Sequence, residues 1–327
     1  MDTRHYARIS FFVNPASGNV EPKSRELLEN RLRALTDSLE VHEVTPATQL
    51  VAEAKAAAEG GAELVVVAGG DGTIREVASG MVKTGVPLGI LPLGTFNNLA
   101  LSLGIPREID GACEILERGH ARKIDVGLAN ERHFFFEAAG VGVDAELFPI
   151  GELVKQGRFT MIFRAIRLAL NHRQAAVLLR FDRPVSDAYQ SSLRGSSPVR
   201  HRRRRFRSRR HRARLRCSFL AVANGPYYGT NFAICPTAKL DDGLFTIGVF
   251  RDFSKRELAT HFWSISRGRY HYHPKMELFE AESFEVSARR ALFVHVDGLP
   301  IGATPVRFRV LHEALTVMVK PSNSHLI

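Results

Sequence analysis

The 327-residue chain is 45% hydrophobic, 24% charged and 9% aromatic, a balance that excludes a disordered or fibrous protein and predicts a sizeable apolar core. Its net charge of +11 is confined to Arg200–Arg216, which holds 11 arginines and no acid; elsewhere 34 basic face 34 acidic side chains, so the body of the protein is not a general polyanion binder. Cys113, Cys217 and Cys235 are too widely spaced to suggest a disulfide scaffold or a metal knuckle, and they point to a reducing cytoplasm.

The apolar run before Asn14 is too short for a signal peptide. The longest spanning candidate, Leu153 to His172, is interrupted by Lys155, Arg158, Arg164 and Arg167, so no transmembrane anchor is expected. In chain order, an apolar run at Ile9 to Val13 ends in the loop Asn14-Pro15-Ala16-Ser17-Gly18. Leucines at helical spacing predict a helix over Lys23 to Leu39, and a short strand follows at Glu40 to Val44. An Ala-rich helix at Leu50 to Gly60 leads to a buried strand at Leu64 to Ala68. Gly69 to Gly72 then form a tight loop, with a helix at Thr73 to Lys83, a strand at Pro87 to Leu91, a turn at Pro92 to Thr95 and a helix at Asn97 to Leu103. This alternation predicts an α/β domain with a mostly parallel sheet, extending to about residue 127.

Beyond Ile124 the texture changes to short alternating strands with Gly, Asn and Pro turns, which predicts a β-rich second domain over about 128–305 with an Arg-rich insert at 194–216. Val306 to Val310 and Leu315 to Val319 read as a hairpin. Two helices, about Leu153 to Asn171 and Lys255 to Ile265, interrupt the strands.

Gly69-Gly70-Asp71-Gly72-Thr73 lies between a strand and a helix, where bare amides and a helix dipole attract an anion. Thr73-Ile74-Arg75-Glu76 has capping-box spacing, which would start the helix at Thr73. One strand and one helix later, Leu91-Pro92-Leu93-Gly94-Thr95-Phe96-Asn97-Asn98 repeats the arrangement, and Asn14 to Gly18 offers a third polar loop. On a parallel sheet all three gather at the carboxyl edge, where ligands bind. Neither a Walker loop nor GxGxxG is present.

These residues resemble the diacylglycerol kinase catalytic family of lipid kinases, which includes the sphingosine kinases. The matching elements are Asn14-Pro15-Ala16-Ser17-Gly18, Gly69-Gly70-Asp71-Gly72-Thr73 with Glu76, Pro92-Leu93-Gly94-Thr95 with Asn97, Leu240-Asp241-Asp242-Gly243 and Asp297-Gly298, in family order across nearly the whole chain. The resemblance implies a nucleotide domain joined to a β-sandwich, with strands at about 306–327 returning to the first domain. It also implies that Asn14, Thr45, Gly70, Asp71, Gly72, Thr73 and Thr95 contact ATP or its Mg²⁺. Pro15, Ser17, Gly18, Gly69, Glu76, Gly94 and Asn97 complete the expected nucleotide site. Asp71 suits Mg²⁺, directly or through water. Thr45 is the weakest of the set, since an isolated Thr after a strand is more often a helix cap.

In the second domain the resemblance implies a structural Mg²⁺ held by the Asp242 carboxylate and the main-chain carbonyls of Lys239 and Leu244. A plain Asp-Gly hairpin turn is the alternative reading. Asp297-Gly298 matches a catalytic Asp-Gly-Glu of the family, but Leu299 replaces the second acid, which leaves Asp297 to orient and deprotonate the acceptor hydroxyl. It too could be a hairpin turn.

A bilayer-borne acceptor calls for a surface that meets lipid. Phe159, Ile162, Phe163, Ile166 and Leu170 make one helical face, equally readable as a face packed on the β-domain. The arginine run suits anionic headgroups or nucleic acid, and a disordered insert is its default state. His271 and His273 read as surface histidines, and Trp263 as a core residue.

The sequence therefore predicts an ATP- and Mg²⁺-dependent kinase, with the nucleotide in a crevice between domains, acting on diacylglycerol or a related lipid. It would be cytoplasmic, with transient attachment to the anionic inner face of the membrane, no specific nucleic-acid partner, and a homodimer left open. A soluble NAD-kinase-like phosphotransferase and a catalytically impaired nucleotide- or lipid-binding homologue are the alternatives.

Overall fold

The computed structural model describes residues 4–17, 22–142, 174–183, 211–227, 229, 233–251 and 276–321. Gly18, the helices expected at Leu153 to Asn171 and Lys255 to Ile265, Trp263, His271 and His273, and the first part of the arginine run lie outside them. The chain divides into one unit up to Val126 together with the residues from His312 on, and a second unit from Gly127 to Leu311.

The first unit is the α/β domain. Its order is β1 (Tyr6–Val13), α1 (Pro22–Arg33), β2 (Thr36–Glu43), α2 (Leu50–Glu59), β3 (Leu64–Gly69), α3 (Asp71–Met81), β4 (Leu88–Pro92), α4 (Asn98–Ser102), α5 (Ile109–Arg118) and β5 (His120–Ala129), the last of which runs on into the second unit. The sheet is parallel in the order β2, β1, β3, β4, because each strand is joined to the next by a helical crossover. β3 is fully buried, as its Leu-Val-Val-Val-Ala run requires of a central parallel strand.

The first predicted helix overran. Leu35 and Leu39 fit a helical period, yet Leu39 lies opposite Ile9 in the β1–β2 ladder, so α1 stops at Arg33 and the second strand begins at Thr36. α5 went unassigned in the sequence.

The second unit is a sandwich of antiparallel strands. It contains β6 (His133–Phe135), β7 (Ala138–Gly142), β8 (Ala175–Phe181), β9 (Arg212–Cys217), β10 (Phe219–Ala223), β11 (Phe245–Phe250), β12 (Met276–Ala281), β13 (Ser283–Ala288), β14 (Phe293–Val296), β15 (Leu299–Ala303) and most of the first half of β16 (Val306–Val319). One sheet runs β12, β11, β10, β7, β14, β15; the other runs β16, β13, β8, β9. Val141, Leu220, Val222 and Ile247 from the first sheet share a core with Leu179, Leu215, Phe284 and Phe308 from the second. Phe135 stacks on Phe245 at 5.4 Å, and Phe284 lies 5.3 Å from Phe308.

Two sequence expectations change here. The predicted C-terminal hairpin is one strand, β16, whose second half pairs parallel to β4 through Val317 and Leu88 in the first unit. The apparent turn is a single residue, Glu313, with φ at 50°, whose N–H donates to the buried Asp125 carboxylate at 2.8 Å. The Arg-rich segment expected as an insert ends in a strand: in β9, Arg212, Arg214 and Arg216 are exposed while Ala213, Leu215 and Cys217 are buried. That period-2 alternation pairs it with β8 over Ala175 to Arg180.

Candidate functional site

In the first unit three loops leave the carboxyl ends of β1, β3 and β4, and side chains tie them together. Asn14, just beyond β1, donates from Nδ2 to Thr73 Oγ1 at 2.8 Å, while its Oδ1 accepts from the Ala16 amide at 3.0 Å. Its own amide donates to the Ala68 carbonyl at 3.0 Å, fixing the first loop against the end of β3.

The β3 and β4 loops meet at two glycines. A Cβ on Gly94 would lie 2.5 Å from the Gly70 Cα, closer than side chains approach, so only a bare backbone fits there. The Leu93 amide donates to the Gly69 carbonyl at 2.9 Å. Asp71 then clamps the third loop: its Oδ2 accepts from the Asn97 amide at 3.0 Å and its Oδ1 from the Asn98 amide at 2.8 Å. Asn97, buried and left-handed at φ 54°, donates from Nδ2 to the Gly94 carbonyl at 2.8 Å.

α3 begins at Asp71, two residues earlier than the capping-box spacing implies. Gly70 is the cap residue and supplies no side-chain hydrogen bond. Thr73 lies inside the first turn, buried, with its hydroxyl accepting from Asn14. Glu76 sits half-exposed beside Arg75 at 3.5 Å, outside any cap. The first-turn amides of an α-helix have no partner within the helix, so Asp71, Gly72 and Thr73 present donors of the kind a phosphate accepts, at the positive end of the dipole. Gly72 is exposed, and a Cβ there would meet nothing within 4 Å.

Pro15 and Ser17 remain in the first loop. Thr95 is exposed at the tip of the third, where its carbonyl accepts from Arg107. Thr45 is exposed after β2; its hydroxyl lies 3.0 Å from that of Thr48, and its amide donates to Thr48 at 2.8 Å, a local turn preceding α2. The structure thus joins Asn14, Gly69, Gly70, Asp71, Thr73, Gly94 and Asn97 through direct contacts. The contacts of Thr45 and Glu76 lie elsewhere.

In the second unit Asp297 and Gly298 form the two-residue turn between β14 and β15, with φ at 42° and 79°. The turn reading holds, and the Asp297 carboxylate also reaches across to the start of β7. Oδ2 accepts from the Phe136 amide at 2.8 Å, and Oδ1 from the Glu137 and Ala138 amides, both at 3.0 Å. Beside it are residues the sequence did not flag. Glu137 is 9% exposed, and its carbonyl accepts from the Asn224 and Gly225 amides at 2.9 and 3.0 Å. Asn224 is fully buried and donates to the Phe136 carbonyl at 3.1 Å, and His295 is fully buried beneath the turn. Leu299, in the place of the family acid, is exposed.

Asp242 Oδ1 accepts from the Leu244 amide at 3.1 Å. Burial pushes the Glu280 carboxyl up, and the Asp242 charge adds to this against the pull of Lys239. Among the described residues no cluster of three or more His, Cys, Asp or Glu could hold a metal ion. A cation here would therefore rest on carboxylates supplemented by main-chain carbonyls, a donor set that hard divalent cations accept. Among the described residues no helix is long and apolar enough to cross a membrane.

Both parts of the chain resemble known proteins. Residues 8–129 match the diacylglycerol kinase catalytic domain, and residues 192–319 match the YegS C-terminal NAD kinase β-sandwich-like domain. A diacylglycerol kinase of Staphylococcus aureus (strain bovine RF122 / ET3-1) is 28% identical over 323 residues, covering 96% of this chain and 92% of the relative. One from Staphylococcus epidermidis (strain ATCC 12228 / FDA PCI 1200) is 27% identical over 269 residues, 81% of this chain and 77% of the relative. The crystal structure of a diacylglycerol kinase from Bacillus anthracis str. Sterne shares the fold at a TM-score of 0.68 and 18% identity, covering 97% of this chain and 98% of that one. The two matched domains follow one another along the chain with the glycine loops in the first and the Asp-Gly turn in the second, and the chain belongs to the diacylglycerol kinase catalytic family of lipid kinases.

Proposed function

We propose that this protein transfers the γ-phosphoryl group of ATP to a hydroxyl of diacylglycerol or a closely related lipid. The observation that carries the reading is the backbone contact of Gly70 with Gly94 beside the uncapped N-terminus of α3, an arrangement braced by Asn14 on one side and Asp71 on the other. Phosphoryl transfer needs positioned donors and neutralised charge more than covalent help from the protein. The Gly70, Gly72 and Thr73 segment supplies donors, and the pinned loops hold them in place before substrate arrives.

Mg²⁺ would neutralise charge on the transferring phosphoryl group. Asp71, whose two oxygens each accept an amide, would help hold it while keeping its loop-bracing bonds. A second, structural Mg²⁺ at Asp242, Lys239 and Leu244 would relieve the crowding of Asp242 and Glu280. Thr45, Pro15, Ser17, Gly18, Thr95 and Glu76 complete the proposed nucleotide site. Asp297, fixed by three amides, orients the acceptor hydroxyl and takes its proton. The enzyme works in the cytoplasm, visiting the inner membrane face where its acceptor resides.

The test is purified protein with labelled ATP and Mg²⁺, offered diacylglycerol, monoacylglycerol, sphingosine, ceramide and NAD in mixed micelles. Label in a lipid supports the reading. Label in NAD alone rejects it in favour of the soluble phosphotransferase, and nucleotide binding without transfer identifies an impaired homologue, in keeping with Leu299.

A further inference from the structure

The outward face of the β16, β13, β8, β9 sheet carries an unbalanced charge. Its acids are all engaged: Glu285 with Arg180 at 3.5 Å, Glu282 with Arg183 at 2.5 Å, Asp182 with Arg307, and Glu131 with Arg309. Three cations remain. Arg212, Arg214 and Arg216 are exposed on one side of β9 and form no ion pair with any of the described residues. Alternate strand positions place neighbouring guanidinium stems about 7 Å apart along a straight line. Among the described residues β9 is also the last strand of its sheet, so this line follows its edge.

Opposite them on β8 the outward residues are Arg180, Leu178 and Ala176, set against Arg212, Arg214 and Arg216 in turn. The outward positions of β13 and β16 add Ser283, Glu285, Ser287, Arg307 and Arg309. None of these is aromatic. Single-stranded nucleic acid is held by basic grooves with stacking aromatic rings, and a duplex is read by a helix or a two-stranded ribbon entering a groove. A row of arginines flanked by Arg180, Leu178 and Ala176 has neither feature. It complements a flat surface of fixed negative charge with an apolar boundary just beneath it.

We infer that Arg212, Arg214 and Arg216 form a docking face for an anionic phospholipid bilayer. The choice of a bilayer rests on the lipid-kinase reading above, because an enzyme whose acceptor stays in the membrane must reside there through each turnover. The phosphorylated lipid it would release is itself anionic and adds to the charge this face meets.

The experiment compares wild type, R212Q/R214Q/R216Q and R212K/R214K/R216K in sedimentation with vesicles of phosphatidylcholine alone or mixed with phosphatidylglycerol, at low and high salt. Each polybasic side chain near such a surface contributes enough that removing three lowers partitioning onto the anionic vesicles roughly 100-fold. The lysine variant stays within a few-fold of wild type, all three ignore pure phosphatidylcholine, and salt weakens wild-type binding. Equal binding by wild type and the glutamine variant overturns the inference. So does loss in the lysine variant with an unchanged unfolding midpoint, or a wild type that ignores anionic vesicles and instead loses RNA binding on substitution to glutamine. A water-soluble short-chain diacylglycerol, assayed without vesicles, is phosphorylated equally by all three. Failure of all three on that substrate refutes the lipid-kinase reading and leaves the vesicle result to be judged separately.

Discussion

Gly94 and Gly70 touch backbone to backbone: a Cβ built on Gly94 falls 2.5 Å from the Gly70 Cα and 2.9 Å from Asn97 Oδ1. Gly94→Ala must therefore push the β3 and β4 loops apart. Overpacking of this kind costs about 1–3 kcal/mol. The variant should unfold at lower urea and bind ATP more weakly by calorimetry. Gly72→Ala is the matched comparison, since its Cβ meets open space within 4 Å. It should keep wild-type stability to within about 0.5 kcal/mol and affect only the KM for ATP.

Asp297→Asn replaces one acceptor oxygen with a donor that faces main-chain amides. A buried donor facing donors costs about 1–3 kcal/mol, so the unfolding midpoint should fall. Turnover should fall strongly as well, with ATP affinity near wild type. Unchanged turnover in the folded variant would move the proton-acceptor role to Asp71. Leu299→Glu is the complementary change, and a large gain in turnover would show that the natural chain is impaired.

The cysteines should be inert in the folded protein. Burial pushes the Cys113 thiol up to about 11 and those of Cys217 and Cys235 to about 12. The thiolate is the reactive form. Iodoacetamide at about pH 8 should add nothing to the native chain on the timescale that modifies every cysteine in urea, as read by intact mass. Rapid labelling of native protein would contradict the burial.

Glu280 sets a pH dependence. Its carboxyl is raised by burial first and by Asp242 second, so the folded state holds its proton more tightly than the unfolded chain does. Stability from this group is present at low pH and is lost as pH climbs through and above the ordinary carboxylate range. Glu280→Gln should therefore raise the melting temperature at about pH 8 and leave it nearly unchanged at about pH 4. Adding Mg²⁺ should raise the wild-type melting temperature at the higher pH, and Asp242→Asn should remove that response.

The strand and helix alternation of the first unit was legible because β3 and β4 are short apolar runs punctuated by glycine and proline. The loops were legible for the same reason. Their mutual bracing was not: nothing local in Thr73 says that its hydroxyl receives Asn14 from 59 residues away, and the local capping-box pattern pointed to a different role. Leu39 misled by falling on a helical period while pairing with Ile9 in a sheet. β9 carried a clear period of two in Ala213, Leu215 and Cys217, concealed by the arginines between them. Glu137 carried no signal, since its burial depends on Asn224 and on the carboxylate of a distant turn.

β16 enters the first unit from His312 on, setting Val317 against Leu88. During synthesis the first unit must therefore wait, its β4 flank unpaired by β16, until the residues around Val317 have left the ribosome. Trimming the tail ahead of Val317 would expose that flank permanently, and a fragment cut after Val126 would be an incomplete lobe prone to self-association rather than an independent module.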